Sequence, residues 1–503
     1  MTEEDDVVVC GAGPTGLWIA CELARAGRSV RIFDRKIRRS PHSRATILWP
    51  RILELAERLD LCEEIVATGH TFRDLTYYSE KRLAARIRLD SLPHTRYPYG
   101  VTIPQDRTED ILTQRFEELG GRVEDGYELL DIRQEPGRVH YTLKGPDGEA
   151  AEGAAKFLVG ADGSRSTVRE LCGIGFDGIS MPTRLIITDA ELDDQRTSQE
   201  TAYFFTSHGN AAIAPLGDGY FRVAASAPPE LKEDEVPDAR HFGMVLRTRV
   251  PGAQKLRNMR FSAIFSADVR TARTFRSGQR VFLAGDAAHV VHPAGGQGLN
   301  SCVQDAVNLS WRLTAALRDN RLSVLDAYGA ERKTTMEKVG ANTARLARIG
   351  LFEKKRDILL RDAAMRLGTA SGLFDRALAP KLAQFDVDYV PEHDGQLGRR
   401  VPCTYEARES DGFLRIDQHR YTVALHPGDS YSWSEWQQTV RQVREKWGES
   451  LAVVDLEGRP SHRLAKLLNG APRGIVVRPD GHLHDLFDIT DERIVEKLSL
   501  LAT

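Results

Sequence analysis

Near its start the chain runs apolar without interruption through Val7, Val8, Val9 and Cys10, as a parallel strand covered on both faces does. From 17 to 26 apolar residues recur at helical spacing, and Gly27 follows as a C-terminal stop. Residues 30–34 predict a second strand, and helical spacing resumes over 50–60. The pattern changes over 179–275. Residues 184–189, 200–205 and 219–225 alternate, which predicts antiparallel strands, with Gly217-Asp218-Gly219 as a turn. Residues 325–385 predict mostly helix, and a Pro/Gly-rich connector occupies 390–398. Beyond it, 399–503 alternates strand and helix on a smaller scale, with a hairpin over 474–487 that turns at Pro479-Asp480-Gly481.

The length of 503 residues suggests about three domains. A formal net charge of −3 leaves no basic surplus for nucleic acid or anionic lipid, so neither is an expected partner. The acidic start lacks the positive, then apolar, pattern of a secretory signal, and 7–24 is broken by Gly11, Gly13, Pro14, Gly16 and Glu22. A cytoplasmic protein with no membrane span is expected. The six cysteines, at 10, 21, 62, 172, 302 and 403, have neither metal nor redox spacing and read as inert thiols.

Three stretches carry chemistry. In Gly11-Ala12-Gly13-Pro14-Thr15-Gly16, between strand and helix, the first glycine permits a tight turn. The second admits a diphosphate to the backbone, and the third lets helix pack on sheet. The helix start then faces the anion. Asp34, ending the next strand, can accept from adenosine ribose hydroxyls. In 159–169 a strand enters a polar Gly turn and then a helix, which alone fits many connections. In 281–300 a buried strand ends at Gly285-Asp286, where a carboxylate can bind a polyol hydroxyl. A Gly-rich loop follows, and then a helix with Leu299, Cys302, Val303, Ala306, Leu309 and Leu313 at helical spacing. Its start near Gly298 offers unpaired N–H groups to the N1/C2-carbonyl edge of a reduced flavin. His289 and His292 have no third ligand at a matching spacing, so no metal is expected.

In this order the stretches resemble the group A flavoprotein aromatic hydroxylases, the p-hydroxybenzoate hydroxylase-like superfamily. The matching segments are GAGPTG, GADGSRSTVR, LAGDAAHVVHPAGGQGLN, the tail 305–313, and 103–109 around Gln105. The resemblance spans about 5–390. It implies an α/β fold with a Rossmann-like FAD-binding domain over 1–75, 101–178 and 276–390. An antiparallel-sheet substrate domain is inserted at 76–100 and 179–275, and a thioredoxin-like C-terminal domain occupies 395–503. The tail's match lies in 398–402 and 476–481. It lacks a CxxC pair, and His482-Leu483-His484-Asp485 departs from the aromatic-rich strand of relatives. A structural or oligomer-contact role suits it better than thiol chemistry, and a homodimer is left open.

For the site, the resemblance implies FAD on Gly11, Ala12, Gly13, Gly16, Asp34, Arg35, Gln105, Asp162, Asp286, Pro293, Gly298, Leu299 and Asn300, with Arg44 beside the diphosphate. The resemblance further implies that NADPH or NADH binds transiently, in keeping with the lack of a second dinucleotide fingerprint. It implies that dioxygen then forms a flavin C4a-hydroperoxide that hydroxylates an aromatic or polyketide-type small molecule. Tyr203, His208 and Arg222 are candidates to face that substrate, and no catalytic acid or base is assigned. Epoxidation or oxygen insertion beside a ketone by the same chemistry, and a flavin-bearing sensor without turnover, are the rivals. A halogenase fits less well, since Trp433-Ser434-Glu435-Trp436 does not continue as WxWxIP.

Overall fold

The structure is a computed structural model that describes residues 5–37, 45–92, 95–193, 200–232, 235–252, 255–352, 354–390, 397–401, 414, 416–428, 433–456, 473–489, 498–499 and 501. The strand Asp5–Cys10 lies inside an eight-stranded sheet, parallel to Ala150–Gly160 on one side and Val30–Asp34 on the other. Val7, Val8 and Val9 have no exposed surface, as the uninterrupted apolar run requires of a strand covered on both faces. Val281–Leu283 and Val123–Asp125 extend the parallel core outward. A meander of Glu128–Glu135 and Arg138–Lys144 joins antiparallel to the outer part of Ala150–Gly160. The helix Pro14–Arg25 packs on this sheet together with Gly298–Asp319, which buries its length from Asn300 to Ala316.

The second eight-stranded sheet is largely antiparallel. Its order is His289–Val290, Leu256–Ala272, Phe176–Leu192, Tyr220–Ser226, Gly209–Gly217, Glu200–Thr206, Asp74–Ser79 and Arg82–Arg88. The alternating segments are therefore strands, but 184–189 is only the middle of a 17-residue strand. The equally long Leu256–Ala272 and the helix Ala239–Arg249 have no counterpart in the pattern reading. One face of the sheet buries Ile186, Phe204, Ile213 and Val223 against Phe242, Val245 and Leu246 of that helix. Asp238 caps the helix by accepting from the N–H groups of Arg240 and His241. A small sheet of Ile47–Leu48, Gly100–Thr102 and His70–Phe72 bridges the two large ones. There the Thr102 hydroxyl donates to the carbonyl of Pro215.

After the long helix Asp326–Gly350 and the helix Lys355–Ala370 comes a four-stranded sheet with the helix Trp433–Trp447. Thr422–His426 runs parallel to Ala452–Asp455 and antiparallel to Arg473–Val477, whose hairpin partner is Leu483–Asp488. The turn of this hairpin is driven into the first domain. Arg58 donates to the carbonyl of Pro479 at 2.6 Å, and Arg51 to that of Asp480 at 2.6 Å. The Asp480 carboxylate accepts from Trp311 at 3.1 Å and Asn308 at 3.2 Å. Arg478 pairs with Glu331 at 2.7 Å, and Arg400 with Glu54. Cys403 lies outside the described residues.

Candidate active site

The Gly-rich turn is built as its residue types dictate. Gly11 has φ +103, and a Cβ there would sit 2.5 Å from the carbonyl oxygen of Ala161. A Cβ on Gly16 would come within 1.9 Å of the Gly11 carbonyl oxygen, so helix and strand approach each other backbone to backbone. Gly13 differs: among the described residues nothing lies within 4 Å of the Cβ position, and no side chain caps the helix it begins. An open cradle at an uncapped helix start suits a diphosphate. Asp34 accepts from the N–H of Ala12 at 2.9 Å and from that of Lys36 at 2.9 Å. Its carboxylate thus braces the turn it was expected to serve. Arg35 follows it, exposed.

The second motif is tied to the first by the Ala161 N–H, which donates to Cys10 at 2.8 Å. Asp162 works as a local brace: it accepts from the Ser166 hydroxyl at 2.5 Å and the Val168 N–H at 3.1 Å. Burial raises its pKa. Arg169 reaches on to the third motif, donating to the carbonyl of Ala287 at 2.9 Å. Ser166 in turn caps the helix Thr167–Leu171, its hydroxyl accepting from the Arg169 N–H at 3.0 Å.

In the third motif the strand ends at Leu283, and Gly285–Ala287 forms a 3-10 turn that leaves Asp286 exposed. Behind this turn lies a dry ionic cluster. Asp305 accepts from the Gly285 N–H at 2.9 Å and lies 2.5 Å from His289 Nε2 and 2.5 Å from Arg332 Nε. None of the three side chains is more than 1 % exposed. Burial raises the Asp305 carboxyl, but His289 and Arg332 outweigh it and hold the group down to about 2. His289 Nε2 is thereby taken up by a hydrogen bond to the Asp305 carboxylate. His292 is buried, which pushes its pKa down to about 4 and keeps it neutral at neutral pH. No cluster of three His, Cys, Asp or Glu able to hold a metal occurs among the described residues.

Pro293 is exposed, and Gly295 and Gly296 adopt left-handed φ of +79 and +61 to bend the loop back to the helix. Gly298 and the half-buried Leu299 begin that helix, again without a side-chain cap among the described residues. Asn300 uses its side chain within the fold. Its amide accepts from the Trp49 N–H at 2.8 Å and donates to the carbonyls of Ile47 at 2.7 Å and Gly296 at 2.8 Å. The group is consumed in joining two loops, so only its backbone is left for a cofactor. Gln105 opens the helix Gln105–Glu118, donates to Glu109 at 2.9 Å and accepts from the Ala45 N–H at 3.3 Å. Arg44 lies outside the described residues.

The sheet face opposite the helix Ala239–Arg249 completes the site. The register places Ala263, Ile187, Ala224, Ala212, Tyr203, Tyr77 and Ala85 in one row. Phe261, Asp189, Arg222, Ala214 and Thr201 form the next row on the same face. The long helix Asp326–Gly350 crosses above, with Gly340 against Val269 and Gly350 against Phe205 and Asn210. Leu346 of that helix also meets Gly295 of the third motif's loop. Sheet face, helix and loop therefore meet around one region.

Tyr203 belongs to it, stacked on Tyr77 at 5.1 Å, and burial pushes its phenol up to about 12. Arg222 lies on the face but is paired with Asp189 at 2.5 Å. His208 does not belong: it sits exposed in the tight turn between Glu200–Thr206 and Gly209–Gly217. Tyr77, Asp189, Ala212 and Ala224 were missed, because a face is shared across strands distant in sequence. Asp305 stood within a recognised motif, where its acidic type amid apolar helix positions was the available signal.

Residues 4–343 match the family described as FAD binding domain. The rifampicin monooxygenase of Streptomyces venezuelae is 32% identical over 488 residues, covering 95% of this chain and 94% of that one. A Bacillus subtilis protein described as an uncharacterized aromatic compound monooxygenase is 35% identical over 496 residues, covering 95% and 93%. Among solved structures, the anhydrotetracycline hydroxylase OxyS from Streptomyces rimosus superposes with a TM-score of 0.78 at 28% identity, covering 99% of both chains. The uncapped cradle at Gly13, the braced carboxylate of Asp34 and the third motif's loop thus stand in a chain that belongs to the FAD-binding-domain family, as a flavin-dependent monooxygenase.

Proposed function

We propose that this monooxygenase hydroxylates a planar, fused aromatic molecule of the polyketide or antibiotic type, with FAD as its cofactor, dioxygen as oxidant and NADPH or NADH as reductant. One observation carries the substrate reading. The sheet face has a floor of small residues, Ala212 and Ala224, half-buried between Tyr203 and the row holding Phe261. Such a floor leaves flat space beside aromatic side chains, the environment a ring system prefers. The one arginine of that row is paired with Asp189, so the floor favours a neutral ring over a carboxylate. An anhydrotetracycline hydroxylase among the solved structures and a rifampicin monooxygenase among the relatives agree with this class.

The Gly11–Gly16 turn would hold the cofactor's diphosphate, and Asp34 with Arg35 its adenosine ribose. Asp286 would take the ribityl hydroxyls. The backbone of Gly298, Leu299 and Asn300 would face the electron-rich edge of the ring system. When bound, FAD accepts hydride and activates dioxygen for insertion of one oxygen atom. The chain's own work is to orient and to exclude water. His292 stays neutral and adds no charge beside the loop, and the helix Asp326–Gly350 roofs the sheet face. A supply of NAD(P)H places the reaction in the cytoplasm.

The test is NAD(P)H oxidation by the FAD-loaded enzyme with single-ring phenols and with fused polycyclic phenols, product mass being recorded. Polycyclic compounds should stimulate oxidation and gain one oxygen atom. Ala212→Leu, which fills the floor, should raise KM for them by about tenfold. Stimulation by single-ring phenols alone would overturn the reading.

A further inference from the structure

The helix Lys355–Ala370 is apolar on two opposite faces. Inward it turns Arg361, Met365 and Gly368; Arg361 donates to Ser79 at 2.6 Å, Met365 packs against the cluster that holds Trp49 and Phe72, and Gly368 lies against Phe374. Outward it turns Leu359, Leu360, Ala363, Ala364, Leu367 and Ala370, all exposed. Leu359, Leu360 and Leu367 are each 70% exposed, among the most open large apolar side chains described. A helix lying on a globular surface keeps polar residues on its outer face, so this one is built to be covered.

We infer that its cover is the same helix of a second copy, lying antiparallel about a two-fold axis between Ala363 and Ala364. Three features single out this occupant. First, the stripe is close to a palindrome: reflection through that axis sets Leu360 against Leu367 of the other copy and Ala363 against Ala364. Small residues at the crossing let two helices approach closely, and leucines on both sides fill the diverging space. An isologous contact requires this self-complementarity. Second, the helix opens on the cations Lys354, Lys355 and Arg356; Arg356 is paired with Asp357 at 3.2 Å, while the two lysines sit at a poor place for positive charge in an isolated helix. Antiparallel pairing sets them beside the carbonyl end of the partner helix, near Ala370 and Ser371, where positive charge is favoured. Third, Arg366 is exposed and makes no ion pair among the described residues. In the same pairing it approaches the partner's Asp362, which within its own chain is paired with Arg361 at 3.0 Å.

One pair of helices of this length, about 24 Å each, lies at the small end of specific interfaces. The dimer should therefore dissociate on dilution. Sedimentation velocity of the FAD-loaded full chain, from micromolar to about 100 µM, should show a monomer–dimer equilibrium. Leu360→Glu with Leu367→Glu should weaken it by at least about tenfold with FAD content unchanged. Ala363→Cys, which lies at the axis, should cross-link to twice the chain mass under mild oxidation, while the parent chain does not. That measurement stands even if the glutamate variant fails to fold. A parent chain that stays monomeric throughout overturns the proposal, as does Ala363→Cys remaining uncross-linked. Leucine-dependent flotation of a monomeric chain with anionic vesicles would replace the second copy by a membrane surface.

Discussion

Asp305→Asn probes the cluster behind the third motif. The change keeps shape and removes charge, leaving Arg332 without its buried partner. Breaking one side of a buried ion pair costs about 3–5 kcal/mol. For a chain of this size that lowers the melting temperature by roughly 6–10 °C, at the lower slope of about 2 °C per kcal/mol. Near-UV circular dichroism of FAD-loaded protein measures it. Arg332→Met added to Asp305→Asn removes the stranded cation, so the double variant should melt higher than the sum of the single losses. The acid limb supplies a second reading. In the unfolded chain Asp305 titrates near its ordinary value of ~3.9; in the folded protein it is held to about 2. The native state is thus the harder to protonate, so this stabilisation is complete above the unfolded value and lost as pH falls through it towards about 2. The variant's acid limb should be shallower over that window. It should not be flat, because Glu331, which burial raises but Arg478 and Arg312 hold down to about 2, titrates there as well. A melting temperature within about 1 °C of the parent's would refute the assignment of Asp305 as the cluster's keystone.

Three further outcomes are expected. Gly16→Ala places a Cβ 1.9 Å from the Gly11 carbonyl oxygen and should yield protein without FAD, seen as lost visible absorbance. Asp34→Ala removes the acceptor for two backbone N–H groups and should weaken FAD binding by about 1–3 kcal/mol in equilibrium dialysis; unchanged affinity would show that the brace is idle. Acid precipitation should release the flavin into solution, and colour kept in the pellet would mean a covalent bond.

What the sequence disclosed depended on where each element's instructions lie. The first strand–turn–helix was legible because Val7, Val8, Val9, the three glycines and Asp34 lie within thirty positions and act on one another. The hairpin of Arg473–Val477 and Leu483–Asp488 was legible for the same reason. Leu256–Ala272 was not: its side chains are half-buried almost throughout, so neither face is marked by alternation. The same limit hid the floor of the site, where Ala212 and Ala224 become neighbours only through strand register. His208 follows an alternating segment but lies in a turn, which depends on Gly209, with φ +107. Arg51, Arg58, Arg332 and Arg478 carry no local sequence signal of burial, yet each is almost wholly buried on carboxylates or carbonyls supplied from afar.

The wedge made by the turn at Pro479-Asp480-Gly481 also bears on how such enzymes can be recombined. Its contacts run to Arg51, Arg58, Asn308, Trp311 and Glu331, which belong to the segments that frame the FAD-binding helices. A chimera joined at the connector before residue 399 would inherit two halves of one charge network. Truncation there would uncover the Arg51–Glu54 and Arg58–Glu22 pairs and remove Arg400 and the tail carbonyls that complete them. Grafting a relative's tail can succeed only if its hairpin turn and these first-domain residues are transplanted as one unit.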